Sequence, residues 1–85
     1  MSKIEKLILK LKNNPKDFSF NELKKLLNNF GYIELKLGKT SGSRVAFINE
    51  KSKHIIRIHK PHPSEILKSY QIEYIIEELE KIGLI

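Results

Sequence analysis

Residues 38–63, GKTSGSRVAFINEKSKHIIRIHKPHP, decide the fold because they hold two short runs of β-type sequence separated by a polar turn. In the first run, residues 44–48, side chains alternate between two faces with the period of two of a strand. The second run, residues 55–59, alternates likewise and projects a cation and an imidazole from one face. Residues 49–53 between them are typical of a hairpin connection. The sequence therefore predicts a β-hairpin with polar residues gathered at its open end.

A third strand is predicted immediately before this stretch. Residues 32–37 alternate with a period of two, so Ile33, Leu35 and Leu37 share one face and Tyr32 heads the other. The loop at residues 38–43 joins this strand to the hairpin. Three sequential antiparallel strands form a meander, one face of which needs a cover of helices.

Three segments carry apolar residues at helical spacing. The first follows a capping box, Ser2 to Glu5, and stops before Pro15, since the residue before a proline disfavours the helical conformation. The second follows the capping box from Ser19 to Glu22 and ends at a glycine. The third begins near Ser69, a predicted N-cap, and ends at another glycine.

The order helix, helix, strand, strand, strand, helix predicts an α+β two-layer sandwich with an additional helix at its N-terminus. Eighty-five residues form one domain in this interpretation, with the extra helix in residues 1–14 and the core in residues 19–85. Tyr70 and Tyr74, one turn apart on the last helix, are predicted to pack against the fold and not to form a base-stacking platform.

Composition narrows the function classes. Sixteen Lys and Arg against ten Asp and Glu give a net charge of +6, which favours a polyanionic or acidic partner. The chain has no cysteine and its charges interrupt every apolar run, so we expect no disulfide, no signal peptide and no membrane span, and a soluble cytoplasmic protein. Its histidines are His54, His59 and His62, which with few nearby carboxylates make a metal site improbable, and no motif indicates a cofactor.

The residue types at the open end of the hairpin suit RNA cleavage without a metal. Such cleavage needs a base for the 2′-hydroxyl, cations for the charge that develops on the phosphate, and an acid for the leaving oxygen. Histidine serves both proton roles because its ordinary pKa lies near neutral pH. His59 or His62 can act with Arg44, Arg57, Lys39 or Lys60 in this scheme, or both histidines are ordinary polar residues at a strand end.

The chain resembles the HicA family of toxins over about residues 19–85. The segments that carry the resemblance are GSRVAF at 42–47, RIH at 57–59, and LK at 67–68 followed by an Ile-rich helix that ends IGL at 82–84. The resemblance implies a double-stranded-RNA-binding-domain-like fold, metal-independent cleavage of mRNA, and inhibition by a HicB antitoxin. It implies RNA contacts along the sheet and the preceding loop, for which the candidates are Lys39, Ser41, Gly42, Ser43, Arg44, Arg57 and Lys60.

One position departs from the family pattern. The usual motif is Gly-Ser-His, and its histidine is catalytic, whereas Arg44 occupies that place here. A guanidinium group grips phosphate well, but it does not act as a general base because it stays protonated. Two alternatives follow: His59, or failing that His62, transfers the proton with Arg44 beside it, or the chain binds RNA and antitoxin without cutting. A third hypothesis is a protein-interaction module whose basic surface docks on an acidic partner such as an antitoxin.

Overall fold

A computed structural model describes residues 2–35 and 44–85 of the chain. The elements follow the predicted order: α1 (Lys3–Lys12), α2 (Phe20–Asn29), β1 (Tyr32–Leu35), β2 (Arg44–Asn49), β3 (Ile55–His59) and α3 (Ser69–Lys81). The α+β class and the α-β-β-β-α layout with an extra N-terminal helix are confirmed. The last two positions of the predicted first strand and the loop at 38–43 lie outside the described residues.

The three strands form one antiparallel sheet in the order β1-β2-β3. The turn between β2 and β3 is built around Asn49, whose Oδ1 accepts hydrogen bonds from the backbone N–H groups of Lys51 and Ser52. The Nδ2 of the same side chain donates to the Phe30 carbonyl at 2.9 Å. Asn49 therefore fixes both the hairpin turn and the end of α2 that leads into β1.

The two faces of the sheet have different environments. The inner face carries the buried Phe47, Ile56 and Ile58, which pack against the helices. In β1, however, the buried residue is Tyr32, while Ile33 on the other face remains 45% exposed. The alternation predicted for β1 is present, but its aliphatic face is the outer one, because the register pairs Tyr32 with the buried Asn49.

The helices cover the inner face and bury one continuous core. The predicted capping box of α2 is present in both directions, with Ser19 Oγ accepting from the Glu22 N–H and Glu22 accepting from the Ser19 N–H. Side chains fully excluded from solvent come from the three helices, from β1, β2 and β3, and from Phe18 before α2: Leu11, Phe18, Leu23, Leu26, Leu27, Tyr32, Phe47, Ile56, Ile72, Ile75 and Leu79.

Helix α1 is fastened to α2 by apolar packing and by charge. Leu11 belongs to the core, and Lys10 Nζ lies 3.1 Å from Glu22 Oε2 and 3.5 Å from Asp17 Oδ1. The hydrogen bond to Glu22 raises the pKa of Lys10. Burial works to raise the pKa of the Glu22 carboxyl, but the Ser19 N–H and Lys10 outweigh it and hold that pKa below its usual range.

The connection between β3 and α3 is pinned to the start of α2. The Phe20 N–H donates to the Glu65 carbonyl and the Leu67 N–H donates to the Phe18 carbonyl, both at 2.8 Å. Helix α3 then begins at the predicted residue, but its N-cap is Lys68 and not Ser69. The physical reason is Gln71, whose Oε1 accepts from the Lys68 N–H and so caps the helix from inside its first turn.

Candidate nucleic-acid interface

The register of β2 and β3 brings Arg44, Arg57 and His59 onto one surface. Arg44 pairs directly with His59, and Ala46 pairs with Arg57. Paired residues on neighbouring strands project to the same face, with Cβ atoms about 5 Å apart. All three charged or titratable side chains are exposed on the outer face, since Val45, Phe47 and Ile58 between them point to the core. The structure thus unites two guanidinium groups and an imidazole at one end of the sheet.

Lys60 and His62 lie beyond the end of β3 and do not share its outer face. Both are exposed, and both line an open cleft of about 190 Å³ with His59, Pro61, Lys68, Tyr70 and Gln71. The ammonium group of Lys60 already has partners within the protein, because its Nζ lies 3.7 Å from Glu65 Oε1 and 5.7 Å from the centre of the Phe20 ring. These two residues therefore border the Arg44–His59 surface and are not part of it.

The remaining candidates, Lys39, Ser41, Gly42 and Ser43, lie outside the described residues. Their assignment to RNA contact stays a prediction. Arg44 follows them directly and begins β2.

A second open cleft, of about 270 Å³, runs along the edge of β3 between the sheet and α3. Its lining residues are Arg57, Ile58, His59, Tyr70, Gln71 and Tyr74. His59, Tyr70 and Gln71 line both clefts, so the two form one groove around the end of β3. Tyr70 exposes 62% of its surface here, so the prediction that it packs against the fold is wrong.

Two α3 side chains form hydrogen bonds with backbone groups at the edge of β3. The Arg57 N–H donates to the Tyr74 hydroxyl at 3.2 Å, and Gln71 Nε2 donates to the His59 carbonyl at 2.8 Å. Gln71 also accepts from the Lys68 N–H and is almost completely buried, so it holds the end of β3 to the first turn of α3. Sequence reasoning missed Gln71, because Lys68 is not one of the residue types that mark an N-cap in a sequence.

The third histidine belongs to a separate cluster at the other end of β3. The Tyr32 hydroxyl lies 2.7 Å from His54 Nδ1, and His54 Nε2 lies 3.0 Å from Glu78 Oε1. A neutral ring with its proton on Nε2 satisfies both partners. Burial and the charge of Glu78 raise the pKa of Tyr32 to about 12, while hydrogen bonds from Lys81 and His54 lower the pKa of Glu78. This cluster ties β1 and the turn before β3 to α3.

Two kinds of feature are absent from residues 2–35 and 44–85. No group of three or more His, Cys, Asp or Glu side chains there is arranged to hold a metal ion. Within the same ranges, no helix has the length and apolar character needed to cross a membrane.

Comparison with known families supplies the identification. The family model described as the HicA toxin of bacterial toxin–antitoxin systems matches residues 20–84. The chain belongs to the HicA toxin family. No curated protein and no solved structure matches it. The matched region begins at α2 and includes the sheet and α3, so α1 is an addition that the family model does not cover.

Proposed function

We propose that this HicA toxin binds messenger RNA across the Arg44–His59 end of its sheet and cleaves it by metal-independent endoribonuclease chemistry. The observation that carries the proposal is the β2–β3 register, in which Arg44 pairs with His59 and Ala46 with Arg57. An imidazole that can move a proton then lies beside two cations that can stabilise a phosphate. General acid–base and electrostatic catalysis of phosphoryl transfer need this combination.

The proposed reaction is attack of a ribose 2′-hydroxyl on the neighbouring phosphorus. The hydroxyl gives its proton to a base, the new oxygen–phosphorus bond forms, and the 5′ oxygen of the next nucleotide leaves with a proton from an acid. The products are a cyclic phosphate and a free 5′-hydroxyl. We assign proton transfer to His59, with His62 across the smaller cleft as the second proton carrier. Arg44 and Arg57 stabilise the charge on the phosphate oxygens, since guanidinium groups stay protonated.

A second candidate function is RNA binding without cleavage. Arg44 favours it, because this cation stands where the resembled motif has its catalytic histidine and cannot itself accept a proton. Binding alone would still use the same surface, in which phosphate contacts position the RNA.

The partner we propose is a HicB-like antitoxin, since HicA toxins belong to toxin–antitoxin systems. The net charge of +6 suits an acidic protein surface as well as RNA. Because the proposed substrate is mRNA, we place the activity in the cytoplasm.

The test is cleavage of an mRNA transcript by the purified chain in the presence of EDTA, together with growth after induction. We expect the wild type to cleave the transcript and arrest growth, and Arg44→Ala to reduce both. Lys12→Ala is the matched control, because it removes one exposed positive charge from α1, on the helical side of the molecule. Intact RNA with harmless induction would remove the enzymatic proposal. An RNA affinity that does not fall as the salt concentration rises would remove the RNA-binding alternative as well, since phosphate contacts release counterions.

A further inference from the structure

Tyr70 is more exposed than any other large hydrophobic side chain in residues 2–35 and 44–85. The other two tyrosines behave differently: Tyr32 is 1% exposed, and the Tyr74 hydroxyl accepts the Arg57 N–H. An isolated exposed aromatic residue is common and needs no explanation. The position of Tyr70, at the junction of two clefts that also share His59, makes it worth explaining.

The surroundings of Tyr70 are cationic. The residues that line the two clefts with it include Arg57, Lys60 and Lys68, and the imidazoles of His59 and His62. No carboxylate is among these lining residues. Glu65 is close, but its carboxylate is paired with Lys60 at 3.7 Å. A groove with this charge attracts a strand of phosphates.

We propose that Tyr70 is the stacking platform for a nucleobase of a single-stranded RNA, whose phosphates follow the cations of the groove past His59. This inference rests on the proposed function, and it adds a base subsite to the phosphate contacts. Aromatic side chains within positively charged grooves bind single strands in this way, since every base presents a flat π-face. RNA suits the groove better than an acidic peptide does, because the peptide would leave the aromatic face of Tyr70 without an equivalent partner.

The backbone beneath Tyr70 is fixed relative to His59. Gln71, the next residue, donates to the His59 carbonyl at 2.8 Å and accepts from the Lys68 N–H at 3.0 Å. One buried side chain thus joins the backbone at the first turn of α3, which carries the Tyr70 ring, to the backbone at the end of β3, which carries the imidazole. A nucleotide stacked on Tyr70 would have its adjoining phosphate positioned next to His59. Tyr70 is therefore a positioning residue for the reaction, and it is not a proton-transfer group.

The test measures binding of a fluorescent single-stranded 2′-O-methyl RNA of about 12 nucleotides, within the usual site size. This RNA lacks the attacking hydroxyl, so it survives the measurement. The variants are Tyr70→Ala, Tyr70→Phe and Tyr70→Trp, with Leu9→Ala as the control, because Leu9 is 49% exposed on α1 and its truncation removes a similar exposed apolar side chain elsewhere. A second oligonucleotide of the same length carries the sugar–phosphate chain without bases. Thermal unfolding checks that each variant folds.

We expect Tyr70→Ala to weaken binding about tenfold or more, with Tyr70→Phe, Tyr70→Trp and Leu9→Ala near the wild type. The base-free oligonucleotide should bind the wild type and Tyr70→Ala equally. If the wild type binds RNA and Tyr70→Ala binds as well, the stacking proposal is overturned while the proposed function stands. An equal loss in Tyr70→Phe would indicate a hydroxyl contact and would also overturn it. If the wild type binds neither oligonucleotide, the proposed function and this inference fail together.

Discussion

His54 and His59 stand at opposite ends of β3, and their environments have little in common. His54, one residue before the strand, is held between the Tyr32 hydroxyl and the Glu78 carboxylate. His59, the last residue of the strand, is exposed and pairs across the sheet with Arg44. One ring is enclosed by the parts of the fold that it joins, whereas the other faces an open cationic groove. The comparison shows that exposure and the surrounding charges, and not residue type, separate a structural histidine from a candidate catalytic one.

Two carboxylates, Glu78 beside His54 and Glu65 beside Lys60, repeat the contrast. Glu78 is bonded to both His54 and Lys81, and it lies on the helix that covers the core. Glu65 makes a longer, exposed pair with Lys60. Exposed pairs of this kind contribute little to stability, whereas a partly buried network loses more when one member is removed. The clamped end of β3 should therefore govern folding and the open end should govern function.

The largest expected effect comes from His59→Ala. If His59 transfers the proton, removing it should lower the rate of RNA cleavage by about 10²- to 10⁴-fold. The free energy of unfolding should change by less than about 0.5 kcal/mol, since the side chain is exposed. Cleavage of a labelled transcript and urea unfolding measure the two quantities. Unchanged cleavage would move the proton-transfer role away from His59.

His54→Ala should produce the opposite pattern, with a loss of about 2 kcal/mol in the free energy of unfolding. The cause is the buried Tyr32 hydroxyl, which loses its partner. The double variant Tyr32→Phe/His54→Ala should be less destabilised than the sum of the two single variants, because no buried hydroxyl then remains. Strict additivity in urea unfolding would show that the two side chains are not coupled. RNA affinity of the folded His54→Ala protein should equal that of the wild type.

A smaller effect is expected at alkaline pH. The pKa of Tyr32 is raised to about 12 in the folded chain, while a tyrosine in an unfolded chain ionises near 10. Between pH 10 and pH 12 the unfolded state therefore binds fewer protons than the folded state. The contribution of the protonated Tyr32 hydroxyl to the free energy of unfolding is complete below pH 10 and is lost as pH rises toward 12. By pH 11 the loss amounts to about 1 kcal/mol. Urea unfolding of the wild type and Tyr32→Phe across this range isolates the contribution, and parallel curves would contradict it.

The smallest effect is expected for Glu65→Gln at the open end. Stability should change by less than about 0.5 kcal/mol, because the pair with Lys60 is exposed. RNA affinity should rise slightly, by about twofold at low salt, since one negative charge beside the groove is removed. Titration at two salt concentrations measures the change. A fall in affinity would mean that Glu65 holds Lys60 in its binding position.

Local signals in the sequence predicted the elements well. Ser19 and Glu22 start α2 through side-chain contacts within one turn, and the hairpin depends on alternation and a polar connection, both of which are local. The inward face of β1 was not predictable in the same way. Periodicity separates Tyr32 from Ile33, but the choice between the two faces depends on Asn49 and His54, which are distant in sequence.

The candidate site likewise has a part that local sequence predicts and a part that depends on residues distant in sequence. The proximity of Arg44, Arg57 and His59 follows from hairpin register, so sequence alone predicted it. The exposure of Tyr70 and the bond from Gln71 to the His59 carbonyl depend on how α3 crosses the end of β3, and no short-range pattern encodes that crossing. The usual N-cap preference pointed to Ser69, because it considers only the side chain of the capping residue. It does not consider a glutamine three residues later that accepts from the N–H of the capping residue, as Gln71 does for Lys68.

The bonds from Tyr74 and Gln71 to the rim of β3 have a consequence for how the protein behaves when concentrated. An unprotected rim of a sheet is a template on which further chains add strand by strand into fibrils. Here the Arg57 amide and the His59 carbonyl are already engaged, so two of the backbone groups that a newly arriving strand would need on this flank are occupied. Tyr74→Phe combined with Gln71→Ala would therefore produce a protein more prone to fibrous precipitation than the parent.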